Sequence, residues 1–204
     1  MMPSFPQTLL LASASPTRRR LLERAGVPHR AEPARIDEEA LRAGMAAEGL
    51  SPRDQADALA EAKARKVAQK QPEALVLGAD QVLALGSRVF GKAANLGAAA
   101  EDLAALAGQV HVLYSALVLY QGGAPIWRHV GAARMAMRPL SAAFIAGYLA
   151  RNTEAATQSV GAYQIEGEGI QLFSAIEGDY FTVLGLPLLP LVNYLQDRGF
   201  WRDG

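Results

Sequence analysis

Apolar positions in this chain fall into short compact runs separated by stripes at helical spacing, and the two alternate along most of its length. Thr8 to Ala12 is an apolar run that reads as a buried strand, and a tight polar loop follows at Ser13-Ala14-Ser15. A helix opens at Pro16: Ser15 is a good N-cap, proline suits the first helical position because its N–H would be unpaired there anyway, and Gly26 can stop the helix. Arg18, Leu22 and Ala25 share one stripe of this helix, so Arg18 leans towards the buried side while Arg20 and Arg24 point elsewhere.

Residues 28–36 read as extended, and Ile36-Asp37-Glu38-Glu39 opens an acidic connection. Ser51-Pro52-Arg53-Asp54 caps a long helix through about Gln69. Residues 74–79 read as a buried strand ending at Gly78-Ala79, with more extended chain to Phe90 around Gly86-Ser87. Asn95 begins an alanine-rich helix that Gly108 ends. Val110 to Tyr120, Gly122-Gly123 and Ile126 to Met137 form a long hairpin. Ser141 caps a helix to about Arg151, residues 161–185 hold short strands and turns, and Pro187 begins a last helix closed by Gly199. Early alternation of strands and helices with a late hairpin predicts an α/β fold: a mixed twisted sheet flanked by helices, one domain over residues 1–204, in two lobes around a central cleft.

Composition narrows the function. Half of the 204 residues are hydrophobic, enough for a real core, and Lys+Arg and Asp+Glu stand at 20 each, so no global positive field favours nucleic acid. The absence of cysteine removes disulfides, thiolate zinc sites and cysteine nucleophiles, and His29, His111 and His129 are too far apart for a metal-ligand motif. Ala12-Ser13-Ala14 resembles a signal-peptide cleavage site but lacks a positive n-region and a long enough apolar run, and no stretch reaches membrane-span length. A cytoplasmic protein without a membrane partner is expected.

Several residues sit in unexpected company. The free N–H groups and positive end of the first helix lie beside Arg18, a natural place for an anion, although the same residues serve an ordinary capped helix. Asp80-Gln81 interrupts the apolar run from Ala74 to Leu85, and a carboxylate there must be paired, hydrated, metal-bound or functional. Lys63 lies on the apolar stripe marked by Ala56, Leu59, Ala60 and Val67, so it either snorkels or carries charge into a cleft. Lys92 follows Phe90-Gly91, where glycine lets the backbone approach a ligand. Together with Asp37 and Glu38, which with Asp80 could hold a divalent cation, this set suits phosphoryl chemistry better than acyl or sugar chemistry. Neither G-x-x-x-x-G-K-[ST] nor a supported G-x-G-x-x-G occurs, and G-x-S-x-G is absent.

The chain resembles the Maf family of nucleotide pyrophosphatases over nearly its whole length. The resemblance rests on Leu-Ala-Ser-Ala-Ser-Pro at 11–16 with Arg18 and Leu21-Leu22, then Ile36-Asp37-Glu38, Leu59-Ala60-Glu61-Ala62-Lys63-Ala64, Gly78-Ala79-Asp80-Gln81-Val82 and Gly91-Lys92. It continues through Gly161-Ala162-Tyr163, Glu166-Gly167, Ile176-Glu177-Gly178 and Gly185-Leu186-Pro187-Leu188. It implies a Maf/ITPase-like fold and cleavage of a nucleoside triphosphate between the α and β phosphates, giving monophosphate and pyrophosphate, with a role in clearing noncanonical nucleotides. It also implies a divalent cation, Mg2+ or Mn2+, and a homodimer. Asp80 matches the catalytic carboxylate, Lys63 and Lys92 the cleft lysines, and Ser13, Ser15 and Arg18 the phosphate-binding loop. The alternative from another class is a non-catalytic nucleotide-binding regulator of cell division; an RNA-binding module is disfavoured by the neutral charge.

Base specificity rests on Thr17, Gln81 and Glu166, where dTTP/UTP-type members carry Arg, Thr and Gln. Gln81 and Glu166 instead resemble the branch acting on 7-methyl-GTP. A carboxylate accepts N–H donors of a guanine edge and favours the charge of an N7-methylated base. Thr17 departs from the aromatic residue common in that branch, and Ser159 and Ala93 replace its usual lysine and proline.

Overall fold

A computed structural model describes residues 8–200. The first strand, β1 (Leu9–Leu11), runs into α1 (Pro16–Arg24). The chain then forms β2 (His29–Ala31), α2 (Glu38–Ala47), α3 (Pro52–Ala68), β3 (Leu75–Leu85), β4 (Arg88–Phe90) and α4 (Leu96–Leu106). The hairpin β5 (Val110–Gln121) and β6 (Ala124–Met137) precedes α5 (Ala142–Arg151), α6 (Thr153–Gln158), a 3₁₀ turn at Glu168–Leu172, β7 (Phe173–Glu177), α7 (Tyr180–Val183) and α8 (Leu188–Asp197). Seven strands pair in the order β2-β1-β3-β5-β6-β7, with β4 on β3. Leu9–Leu11 pairs in parallel with both β2 and β3, whereas β3–β4 and β6–β7 are antiparallel, so the sheet is mixed as expected.

Three expectations need correction. The extended chain after α1 is confined to β2, and residues 32–37 have no regular structure. The acidic connection is the start of a helix: Asp37 accepts the Ala40 N–H as N-cap of α2, and Glu38 and Glu39 occupy a first turn where negative charge is favourable. The strand expected to end at Gly78-Ala79 continues unbroken to Leu85, which puts Asp80 in the middle of β3. A carboxylate interrupts an apolar run in composition without interrupting the backbone ladder.

The chain divides into two compact units. The first comprises the described residues through Gln81, Ser115–Gly131 and the described residues from Asp179 onward. Its core joins Leu9 and Leu11 of β1, Leu22 of α1, Leu75 and Leu77 of β3, Leu117 and Leu119 of β5, and Leu191 and Leu195 of α8, all completely or nearly completely buried. Within it α3 lies directly on β3 because Gly78 lacks a side chain: a Cβ at Gly78 would stand 2.0 Å from the Ala60 carbonyl oxygen. The β5–β6 turn is made by Gly122 and Gly123, with φ of 59° and 78°, the conformation a twisted two-residue hairpin requires.

The second unit comprises Val82–Tyr114 and Ala132–Gly178. Here α4, α5 and α6 pack on one another, and Leu103, Leu106 and Tyr148 are fully or almost fully buried. His111 of β5 is completely buried, with Nε2 2.7 Å from the Tyr163 hydroxyl and Phe173 as a ring neighbour. Among the described residues no helix is long and apolar enough to cross a membrane.

Candidate active site

Where β1 gives way to α1, the Ser13-Ala14-Ser15 loop is tied down by its own hydroxyls. Ser15 Oγ accepts the Arg18 N–H at 3.3 Å as N-cap, and the buried Ser13 Oγ accepts the Ser15 N–H at 3.3 Å. Arg18 is buried, as its place beside Leu22 on the apolar stripe predicts. Its Nη1 donates to Ser13 Oγ and to the Ala79 carbonyl, each at 3.0 Å, and its Nε to the Gly185 carbonyl at 2.8 Å. One guanidinium thus clamps the loop, β3 and the start of the α8 segment. Burial pushes the Arg18 pKa below its usual value, opposed by the charges of Asp80 and Glu38, yet a guanidinium stays protonated throughout the physiological range.

Asp80 follows the carbonyl that Arg18 holds, and its carboxylate is almost completely buried. Lys63 of α3 donates to Asp80 Oδ1 at 2.5 Å, and Arg42 of α2 donates to Oδ2 at 3.2 Å. Lys63 Nζ also lies 2.9 Å from Glu38 Oε1, while Arg42 Nη2 lies 4.0 Å from Glu38 Oε2. The four side chains form a ring of alternating charge, Asp80–Lys63–Glu38–Arg42. Lys63 does not snorkel: its stem shares the buried stripe with Leu59 and Val67, and its ammonium ends on carboxylates. The close α3–β3 approach at Gly78 is what brings these two elements near enough for that contact.

Gln81, next along β3, donates through Nε2 to Ser115 Oγ at 2.9 Å and to the Val183 and Thr182 carbonyls at 3.0 and 3.2 Å. Its amide nitrogen therefore ties β3 to β5 and α7. Thr17 is half-buried in the first turn of α1. Lys92 and Glu166 belong to the second unit, and both are exposed. Lys92 forms a backbone bridge to Val160, immediately before Gly161-Ala162-Tyr163.

The ligand set Asp80, Asp37 and Glu38 is not assembled as expected, since among the described residues no three His, Cys, Asp or Glu side chains gather as a metal site. Asp37 instead turns its carboxylate to the α2 cap. Asp80 and Glu38 share the Lys63 ammonium, and as hard oxygen donors the two carboxylates could hold an ion such as Mg2+.

Arg42 is the site residue that sequence reasoning missed. The signal was available: Asp37 is a capping residue, two acidic residues follow it, and Glu38 and Arg42 stand at i,i+4.

The fold and this arrangement define a mixed α/β protein in which Arg18 ties the loop before α1 to the strand that carries a buried, ion-paired Asp80. The family model described as Maf-like protein matches residues 8–198, and the chain belongs to that family. It is 54% identical over 191 residues to a 7-methyl-GTP pyrophosphatase of Rhizobium meliloti (strain 1021), covering 94% of this chain and 96% of that protein. It is 53% identical over 193 residues to a 7-methyl-GTP pyrophosphatase of Mesorhizobium japonicum (strain LMG 29417 / CECT 9101 / MAFF 303099), covering 95% and 97%. It is 50% identical over 191 residues to a nucleoside triphosphate pyrophosphatase of Ruegeria pomeroyi (strain ATCC 700808 / DSM 15171 / DSS-3), covering 94% and 96%.

Proposed function

We propose that this protein is a nucleoside triphosphate pyrophosphatase that hydrolyses the α–β phosphoanhydride to a nucleoside monophosphate and pyrophosphate, with a 7-methyl-GTP-like purine as the favoured substrate. One observation carries the reading: Arg18 of the phosphate-type loop donates to the carbonyl of Ala79, and the next residue, Asp80, holds a buried carboxylate against Lys63. Loop and carboxylate are thereby fixed to each other, the preorganisation that phosphoanhydride hydrolysis needs.

In this reading the Thr17 N–H at the start of α1, the Ser13 hydroxyl and the Arg18 Nη2 hydrogens hold phosphate oxygens. Asp80 orients the attacking water and takes its proton, because each carboxylate oxygen can accept a second hydrogen bond beside its cation. The water oxygen forms the new bond to phosphorus as the bridging oxygen departs with pyrophosphate. Lys63 keeps the Asp80 carboxylate in place, and Lys92 is assigned to the phosphates. A divalent ion, Mg2+ or Mn2+, held by Asp80 and Glu38, would neutralise charge on the phosphates when bound.

Glu166, Gln81 and Thr17 are assigned to the base. A carboxylate at Glu166 suits a guanine edge and a positively charged N7-methylated ring, and relatives at 53–54% identity bear the 7-methyl-GTP name. The same reading carries a cytoplasmic location and a homodimer, the latter tested by light scattering on the purified chain. The activity is tested with a panel of 7-methyl-GTP, dTTP, UTP and CTP, scored for pyrophosphate with and without magnesium or manganese. Release from 7-methyl-GTP above the others is expected. Preference for dTTP or UTP would replace the purine assignment, and no hydrolysis of any member would leave a nucleotide-binding regulator as the better reading.

A further inference from the structure

Arg42 projects from a helix that contributes nothing to the core: no residue of α2 is buried. Its guanidinium is nevertheless drawn inward, to Asp80 at 3.2 Å and Glu38 at 4.0 Å, and its side chain is only 23% exposed. Core packing of α2 cannot be the cause. One terminal nitrogen, Nη2, faces both carboxylates. The other, Nη1, is shielded from solvent and has no hydrogen-bond partner among the described residues.

A guanidinium N–H shielded from water and left unpaired is unfavourable, and the carboxylates nearby are already matched. Asp80 and Glu38 carry two negative charges, Lys63 and Arg42 two positive, so the ring is balanced without using Nη1. What suits this atom is a further anionic oxygen next to Asp80, reached by a shift of α2, which no buried side chain holds in place. An arginine offers one nitrogen to the carboxylate and the second to a phosphate oxygen without giving up either, because its donors form a rigid planar fork.

Resting on the pyrophosphatase reading, we infer that Arg42 is a further phosphate-binding residue of this site: Nη1 takes an oxygen of the substrate's phosphate chain while Nη2 keeps Asp80 Oδ2. The phosphate chain and the proton-accepting carboxylate are then registered against each other through a single side chain. Lysine lacks the planar fork, so its single nitrogen does not hold two oxygens at the spacing of Nη1 and Nη2. Because α2 is tied to the site through Glu38 and Arg42, arrival of the phosphate also holds α2 in place.

The test compares the unaltered protein with Arg42→Gln and Arg42→Lys. Binding of inorganic tripolyphosphate is measured by calorimetry, and kcat and KM by pyrophosphate release. Loss of a charged hydrogen bond predicts tripolyphosphate affinity weakened roughly tenfold to a hundredfold in Arg42→Gln, with KM raised in parallel, and an intermediate loss in Arg42→Lys. A fall in kcat with unchanged tripolyphosphate affinity would make Arg42 only a positioning residue for Asp80 and would overturn the inference. Should Arg42→Gln fold poorly, the guanidinium ¹⁵N resonance lost in Arg42→Lys identifies Arg42 in the unaltered protein. That resonance must move on adding tripolyphosphate, and a stationary signal would also overturn the inference. The two readings fail separately: Arg42-dependent tripolyphosphate binding without pyrophosphate release removes the activity alone, and pyrophosphate release indifferent to Arg42 removes this inference alone.

Discussion

The Lys63 ammonium stands 2.5 Å from Asp80 Oδ1 and 2.9 Å from Glu38 Oε1, so one cation from α3 holds carboxylates supplied by β3 and by α2. Replacing it by methionine keeps the apolar stem in the stripe but leaves the nearly buried Asp80 with Arg42 as its directly bonded cation. Such removal of one partner typically costs about 3 kcal/mol or more. Urea denaturation of Lys63→Met should show that loss, and the double variant with Asp80→Asn should recover part of it. Neither should release pyrophosphate at more than a small fraction of the normal rate. A Lys63→Met protein as stable as the parent would contradict the pairing.

Asp80→Asn alone separates the base from the scaffold. The amide keeps an oxygen for Lys63 but cannot take a proton, so nucleotide affinity should persist while turnover falls by about a hundredfold or more. Near-normal pyrophosphate release would remove Asp80 from the proton-accepting role.

Gly78→Ala probes the contact that brings α3 onto β3. The added Cβ would meet the Ala60 oxygen at 2.0 Å and the Ala64 Cβ at 2.8 Å, so backbone must move. Overpacking of this kind costs about 1–3 kcal/mol. Because the shift separates the strand bearing Asp80 from the helix bearing Lys63, kcat should fall along with the melting temperature. An unchanged melting temperature would mean that the close approach is not tight in solution.

His111 makes stability depend on pH through the second unit. Burial lowers its pKa from the ordinary 6.5 to about 4, so the folded protein binds fewer protons there than the unfolded chain. The neutral ring's contribution is fully present above pH 6.5 and disappears as the pH falls from 6.5 towards 4, by about 3 kcal/mol in total. His111→Gln should flatten the difference in stability across that window. Parallel pH curves for the two proteins would show that His111 charges as readily folded as unfolded.

Local chemistry made the first turn of the site readable from sequence. Ser15, Pro16 and Gly26 bound α1 as their capping preferences dictate, and Arg18 is buried because it shares a stripe with Leu22. Lys63 stood out for the same reason, a charge on an apolar face. What escaped depends on contacts distant in sequence. Arg18 reaches Gly185, 167 positions away, and Gln81 reaches Val183 across 102, pairings that no periodicity encodes. Helix α2 escaped because no apolar stripe of it is buried; it is held by a cap and by ion pairs whose partners lie on other elements.

A helix without buried side chains opens locally at little cost, so the backbone amides of α2 should exchange with solvent deuterium sooner than those of α3, whose stripe is buried. Added salt weakens ion pairs most where they are exposed, and should hasten exchange in α2 while leaving α3 nearly unchanged.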